Sequence, residues 1–131
     1  MATLKKFEEL EVWQEARKLN KEISPVLEAL QESKYYKLKE QLDGSAGSVM
    51  DNIAEGFERD GNREFVHFLA ISKGSLGEVR SQLYRAYDRK ILNEQQLNEF
   101  QIKCGELAVK IANFMRYLNQ SNFKGNKFKN N

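Results

Sequence analysis

Glu64-Phe65-Val66-His67 is the one stretch of this 131-residue chain with the spacing of a helical metal motif. A carboxylate and an imidazole three residues apart share a helix face. Two such pairs plus two further glutamates build the di-metal site of many four-helix bundles. The chain holds a single histidine, so that site cannot be assembled, and His67 reads as a surface or core-edge side chain. A Ser–His–carboxylate triad would also have to use His67, and no serine stands in a nucleophile elbow. Cys104 is the sole cysteine; it falls on an apolar helical seam and reads as a small hydrophobe. "SKGSLGE" lacks the spacing of a phosphate-binding loop, so Gly74, Ser75 and Gly77 read as a close-packing patch on a helix. Glu55 and Glu78 read as structural ion pairs, with Arg59 and Arg80 as partners. These residues assign no catalytic role, no metal and no cofactor.

Basic residues offer a different chemistry. Lys73 and Arg80 are one heptad apart and share a face; Arg85 and Arg89 are one turn apart. Lys34, Lys37 and Lys39 surround Tyr35 and Tyr36, and Lys124, Lys127 and Lys129 lie near the C-terminus. Cations interleaved with aromatic rings suit phosphate contact and base stacking. The net charge of +2 is small, but residues 1–60 hold 9 basic against 13 acidic side chains, and residues 61–131 hold 12 against 6. The asymmetry points the second half of the chain toward a polyanion.

The elements that must position these groups are helices. Phe65, Leu69, Ser72, Leu76, Val79, Leu83 and Ala86 step by 4,3,4,3,4,3, and Leu97, Phe100, Cys104, Leu107, Ile111, Phe114 and Leu118 by 3,4,3,4,3,4. Each set is a heptad seam. Val12, Ala16, Leu19, Ile23, Val26 and Leu30 form a third seam, with Pro25 predicting a kink or restart that keeps the helix direction. Leu38, Leu42, Val49, Ile53 and Phe57 form the fourth, around "DGSAGS" (residues 43–48). Local propensity reads that hexapeptide as a turn. The apolar phase survives it, Leu42 to Val49 being one heptad, which predicts a continuous helix. Gly56 or Gly61 can end this helix, Asp60 or Asn62 can cap the next, and Asn93 can cap the last.

The expected fold is all-α: an antiparallel up-down-up-down four-helix bundle over residues 1–120, with helices at about 4–31, 34–58, 62–90 and 93–119, and a flexible basic tail at 121–131. One domain suits this length. A lone cysteine requires no oxidising compartment, no apolar run approaches a membrane span, and "MATLKKFEELEVW" is too charged for a signal peptide. Cytoplasmic localisation is the expectation. Apolar residues off the main seams, such as Phe7, Trp13, Tyr36, Met50, Phe68 and Ile71, point either to a second chain or to a thicker core.

"FEELEVWQEARKLNKEI" and "QLDGSAGSVMDNIAEGFERDGNREFVHFLAISKGSLGEVRSQLYRA" resemble a bacterial four-helix-bundle family. That family includes proteins encoded in intervening sequences of large-subunit ribosomal RNA genes and the accessory variability proteins of diversity-generating retroelements. The resemblance covers about residues 4–118 and is most specific at "NIAEGFER" and "EFVHFLAISKGSLGE". It implies a helix through residues 43–56, assembly as a homopentamer, and, by analogy with the retroelement members, contact with nucleic acid and a protein partner through basic surfaces. Asn52, Glu55, Gly56, Gly74, Ser75 and Glu78 match signature positions and read as polar or small packing positions. Where the family carries a basic pair after the glutamine matching Gln41, this chain has Asp43 and Gly44, so binding falls to the third helix or the tail. The resulting expectation is a non-enzymatic homo-oligomer that binds RNA or DNA through Lys73, Arg80, Arg85, Arg89, Lys124, Lys127 and Lys129. The alternative is a protein-interaction scaffold with no nucleic-acid role.

Overall fold

Burial follows the seams. In the computed structural model, which describes residues 4–120, every residue of the first and third heptad series is buried, Ser72 included. A short 3-10 turn (Phe7–Glu9) leads into α1 (Glu11–Glu32), α2 (Tyr36–Glu58), α3 (Asn62–Asp88) and α4 (Glu94–Gln120). There is no strand among the described residues. At 1.5 Å per residue the 27 residues of α3 span about 40 Å.

Side-chain bonds between helices give the direction of each neighbour. Asn20 Nδ2 donates to the Ala46 carbonyl at 2.8 Å, joining α1 to α2. Gln82 Nε2 donates to Ser45 Oγ at 3.0 Å and Ser72 Oγ to the Val49 carbonyl at 2.6 Å, joining α2 to α3. Arg80 Nε donates to Gln101 Oε1 at 2.8 Å, and Asn62 Nδ2 to the Leu118 carbonyl at 3.1 Å, joining α3 to α4. Across α2–α3 and α3–α4, and in the Glu22–Lys103 and Glu11–Lys110 pairs across α1–α4, a higher number on one helix meets a lower number on the other, so these neighbours are antiparallel; α1 is then antiparallel to α2 as well, and the chain runs up-down-up-down. Contact is most extensive between α2 and α3 and slightest between α1 and α4.

The hexapeptide at 43–48 is helical. Ala46, 1% exposed, fills the step between Leu42 and Val49, so the core pattern has no gap and burial outweighs the roughly 1 kcal/mol that each glycine costs a helix. Its glycines do not pack closely inside the protomer: nothing lies within 4 Å of a Cβ at Gly44 or Gly47. The same holds for Gly74 and Gly77, whereas Ser75 of the same patch is buried and bonded to Ser48 on α2, so among the described residues the patch packs at its serine and is open at its glycines. Close packing on a glycine is made at Gly56, where an added Cβ would stand 2.8 Å from both Phe65 Cδ1 and Phe68 Cβ.

Two local expectations change, and two helix ends use a residue for which none was stated. α1 is continuous through Pro25, with no restart; Pro25 lies on the exposed side, where the lost N–H disturbs no packing. Neither Asp60 nor Asn62 caps α3. Its N-cap is Gly61, at φ 88°, and the Asn62 amide is used on the Leu118 carbonyl instead. The ends of α1 and α3 are closed by lysines rather than by glycine. Lys34 (φ 65°) and Lys90 (φ 63°) take the left-handed conformation. The Tyr35 N–H then donates to the Leu30 carbonyl at 2.9 Å, and the Ile91 N–H to the Ala86 carbonyl at 3.0 Å. Both are Schellman closures. Asn93 caps α4: its Oδ1 accepts from the Gln96 N–H while Gln96 Oε1 accepts from its own N–H, each at 2.8 Å.

Candidate nucleic-acid interface

The four cations of α3 lie on two edges of that helix. Arg80 leans toward α4, where Gln101 also returns a bond to its carbonyl at 2.9 Å. Lys73, exposed, is one heptad earlier on the same edge. Arg85 leans the other way, its Nη1 donating to Gln41 Oε1 on α2 at 2.9 Å. Arg89 lies over the Tyr35 ring with Cζ 4.8 Å from the centroid. Five residues of helix turn the side chain by about 140°, which is why Arg80 and Arg85 diverge. Lys124, Lys127 and Lys129 lie outside the described residues.

The stronger grouping is at one end of the bundle. The α1–α2 and α3–α4 corners sit together there, which brings Lys34, Lys37 and Lys90 alongside Arg85 and Arg89, with Glu32, Glu40 and Asp88 among them. The Arg89 guanidinium is held over the Tyr35 ring while its side chain stays exposed, open to an acceptor. Arg85 places a cation against Gln41 on α2. Sequence spacing identified Arg85 and Arg89 as a pair and Tyr35 as interleaved. Their meeting across the two corners required the topology.

The signature positions divide by contact. Asn52 Nδ2 donates to the Ser48 carbonyl at 2.9 Å and to Ser48 Oγ at 2.8 Å, and Ser48 Oγ shares a hydrogen bond with Ser75 Oγ at 2.8 Å. Asn52 and Ser75 thus meet through Ser48, a residue that spacing alone did not single out. Glu55 Oε2 pairs with Arg59 Nε at 2.8 Å, both about half exposed. Glu78 is exposed and makes no ion pair among the described residues. Arg80, expected as one of its partners, projects from the opposite side of α3, toward Gln101. Gly56 seats the phenylalanines of α3, and Gly74 faces open space.

Cys104 is buried, and burial pushes its thiol up to about 11, with Arg80 pulling weakly the other way. Among the described residues no three His, Cys, Asp or Glu side chains are placed to hold a metal ion. No helix there is long and apolar enough to cross a membrane.

Comparison with known proteins adds the family. The model of the 23S rRNA-intervening sequence proteins matches residues 8–113. The chain belongs to that family. A crystal structure from Bacteroides thetaiotaomicron, described as a protein of unknown function from the S23 ribosomal protein family, has the same fold. It superposes with a TM-score of 0.75 at 17% identity, covering 80% of this chain and 98% of that one. No curated protein matches. The family membership accounts for the resemblance at "NIAEGFER"; the likeness to the Bacteroides structure speaks to the fold alone.

Proposed function

We propose that this member of the 23S rRNA-intervening sequence family is a non-catalytic, cytoplasmic, homo-oligomeric bundle that holds nucleic acid at its basic end. The observation that carries this reading is the Arg85–Arg89 pair. The two guanidiniums are positioned by Gln41 and Tyr35 and joined at the same end by Lys34, Lys37 and Lys90. Phosphate contacts through such groups are sequence-independent and salt-sensitive. Lys73 and Arg80, on the α4 edge, extend the contact along the bundle, and Lys124, Lys127 and Lys129 add to it.

Self-association is supported by an outward seam on α4. Ile102 and Val109 are 61% and 59% exposed, and Gly105 between them has nothing within 4 Å of a Cβ position. With Ala112 this makes a 3,4,3 pattern of apolar and small residues, the pattern a second helix packs against. Five copies, the number the family resemblance implies, would weigh about 76 kDa from a 15.2 kDa protomer. The same face gives the second reading, a scaffold that docks a different protein there.

Fluorescence anisotropy with a labelled RNA duplex and a labelled single strand, at 50 and 200 mM salt, tests the binding. Salt-dependent association of both is expected. Absence of binding at the lower salt rejects the nucleic-acid reading and leaves the scaffold. Light scattering tests the assembly, and a monomer mass at working concentration rejects it.

A further inference from the structure

The stretch from Glu55 to Phe68 holds a second group of cations, away from the basic end, at the α2–α3 corner. Here a shallow depression of about 560 Å³ is lined by Arg59, Arg63, Glu64, His67 and Phe68. Arg59 lies over the Phe68 ring, Cζ 5.1 Å from the centroid, and its Nε is bonded to Glu55 at 2.8 Å. Those two contacts place the Arg59 guanidinium over the Phe68 ring and beside Glu55, with the Arg59 side chain still about half exposed. His67 stands edge-on to the same ring, 5.5 Å between centroids. Arg63 and Glu64 line the rim, exposed and without an ion pair among the described residues.

The charge balance selects the ligand. Four carboxylates (Glu55, Glu58, Asp60, Glu64) stand in this stretch against two guanidiniums and one imidazole. A site that reads phosphates alone is disfavoured here. A flat ring carrying one phosphate is not: the ring stacks on the guanidinium plane, Arg63 takes the phosphate, and Glu64 accepts from an N–H edge. We propose that the α2–α3 corner binds one unpaired guanine of a single strand. Guanine offers two adjacent N–H donors, N1–H and N2–H, on its Watson–Crick edge, which suits a carboxylate. This inference rests on the reading of the protein as a nucleic-acid binder and assigns it a base-recognising contact distinct from its phosphate contacts.

The test uses two labelled hexanucleotides, uridine throughout or with guanine at the third position, titrated with the full chain by anisotropy. The guanine hexamer binds about tenfold more tightly in the wild type. Glu64→Ala abolishes the preference while retaining the weaker affinity. Arg59→Gln lowers the affinity for both hexamers about tenfold. Both side chains are exposed, so thermal melts should show the variants folded. Arg85→Gln with Arg89→Gln weakens salt-dependent binding of long RNA and leaves the guanine preference in place. Equal affinity of the wild type for the two hexamers overturns the proposal, as does wild-type behaviour of both corner variants. A guanine preference without salt-dependent binding of long RNA upholds the corner site and rejects the basic end as a phosphate-binding surface.

Discussion

Gly56 and Gly44, both on α2, face opposite demands. At Gly56 a methyl group would meet the Phe65 ring and the Phe68 Cβ at 2.8 Å, and Phe68 Cβ cannot swing away. Gly56→Ala should therefore destabilise the bundle by on the order of 1–3 kcal/mol in a urea melt. Gly44→Ala, with open space around it, should stabilise it by about 0.5–1 kcal/mol. Cys104 gives a pH-dependent counterpart. Its thiol is held at about 11 against an ordinary 9.0. Between those values the unfolded chain loses the proton while the folded chain keeps it, so stability declines as pH rises through that window. Comparison with Cys104→Ala isolates the effect, which is at most about 3 kcal/mol. In the native state at pH 8 the thiol should react with iodoacetamide only on unfolding. Composition and spacing revealed Cys104 as a core residue. They did not reveal Ser48, because a serine bridging two helices carries no periodic signal of its own.

Among the elements, the helices were legible because burial imposes its period on the residue pattern even where propensity disagrees, as at Gly44 and Gly47. Their ends were less so. Lysine is not a residue that announces a left-handed conformation, yet Lys34 and Lys90 adopt it because the Schellman bonds and the burial of Tyr35 and Ile91 against the core outweigh the strain. A non-glycine residue in that region costs roughly 1–2 kcal/mol, partly offset by the entropy that glycine loses on folding. Lys34→Gly and Lys90→Gly should each raise stability by about 0.5–1 kcal/mol, read as an upward shift in melting temperature. The expected Asn62 cap failed for a tertiary reason, the competing carbonyl of Leu118 at the far end of α4. The Arg59–Phe68 stack was hidden in the same way: both residues were in view, but nine positions of corner separate them.

At the scale of the whole molecule the charge asymmetry was visible from counting, and its distribution was not. Which edge of α3 faces α2 and which faces α4 depends on how the four helices are arranged, so the separation of Lys73 and Arg80 from Arg85 and Arg89 could not be read from one helix. The division is measurable. For single-stranded RNA each phosphate contact contributes about 0.7 to the slope of log affinity against log salt. Replacing Arg85 and Arg89 by glutamine should flatten that slope by about 1.4, whereas replacing Lys73 and Arg80 tests whether the α4 edge shares the contact.

The unequal contacts among the helices also set an order of opening. α1 meets α4 only slightly, across a cavity of about 140 Å³ lined by the pair Glu22–Lys103, with the pair Glu11–Lys110 bridging the same two helices further along. α2 and α3 are stitched together along their length. A door hinged on the α2 side and latched by two lysines is the mechanical equivalent. Amide protons of α1 should exchange with deuterium before those of α2 and α3, and sooner still when salt loosens the latch.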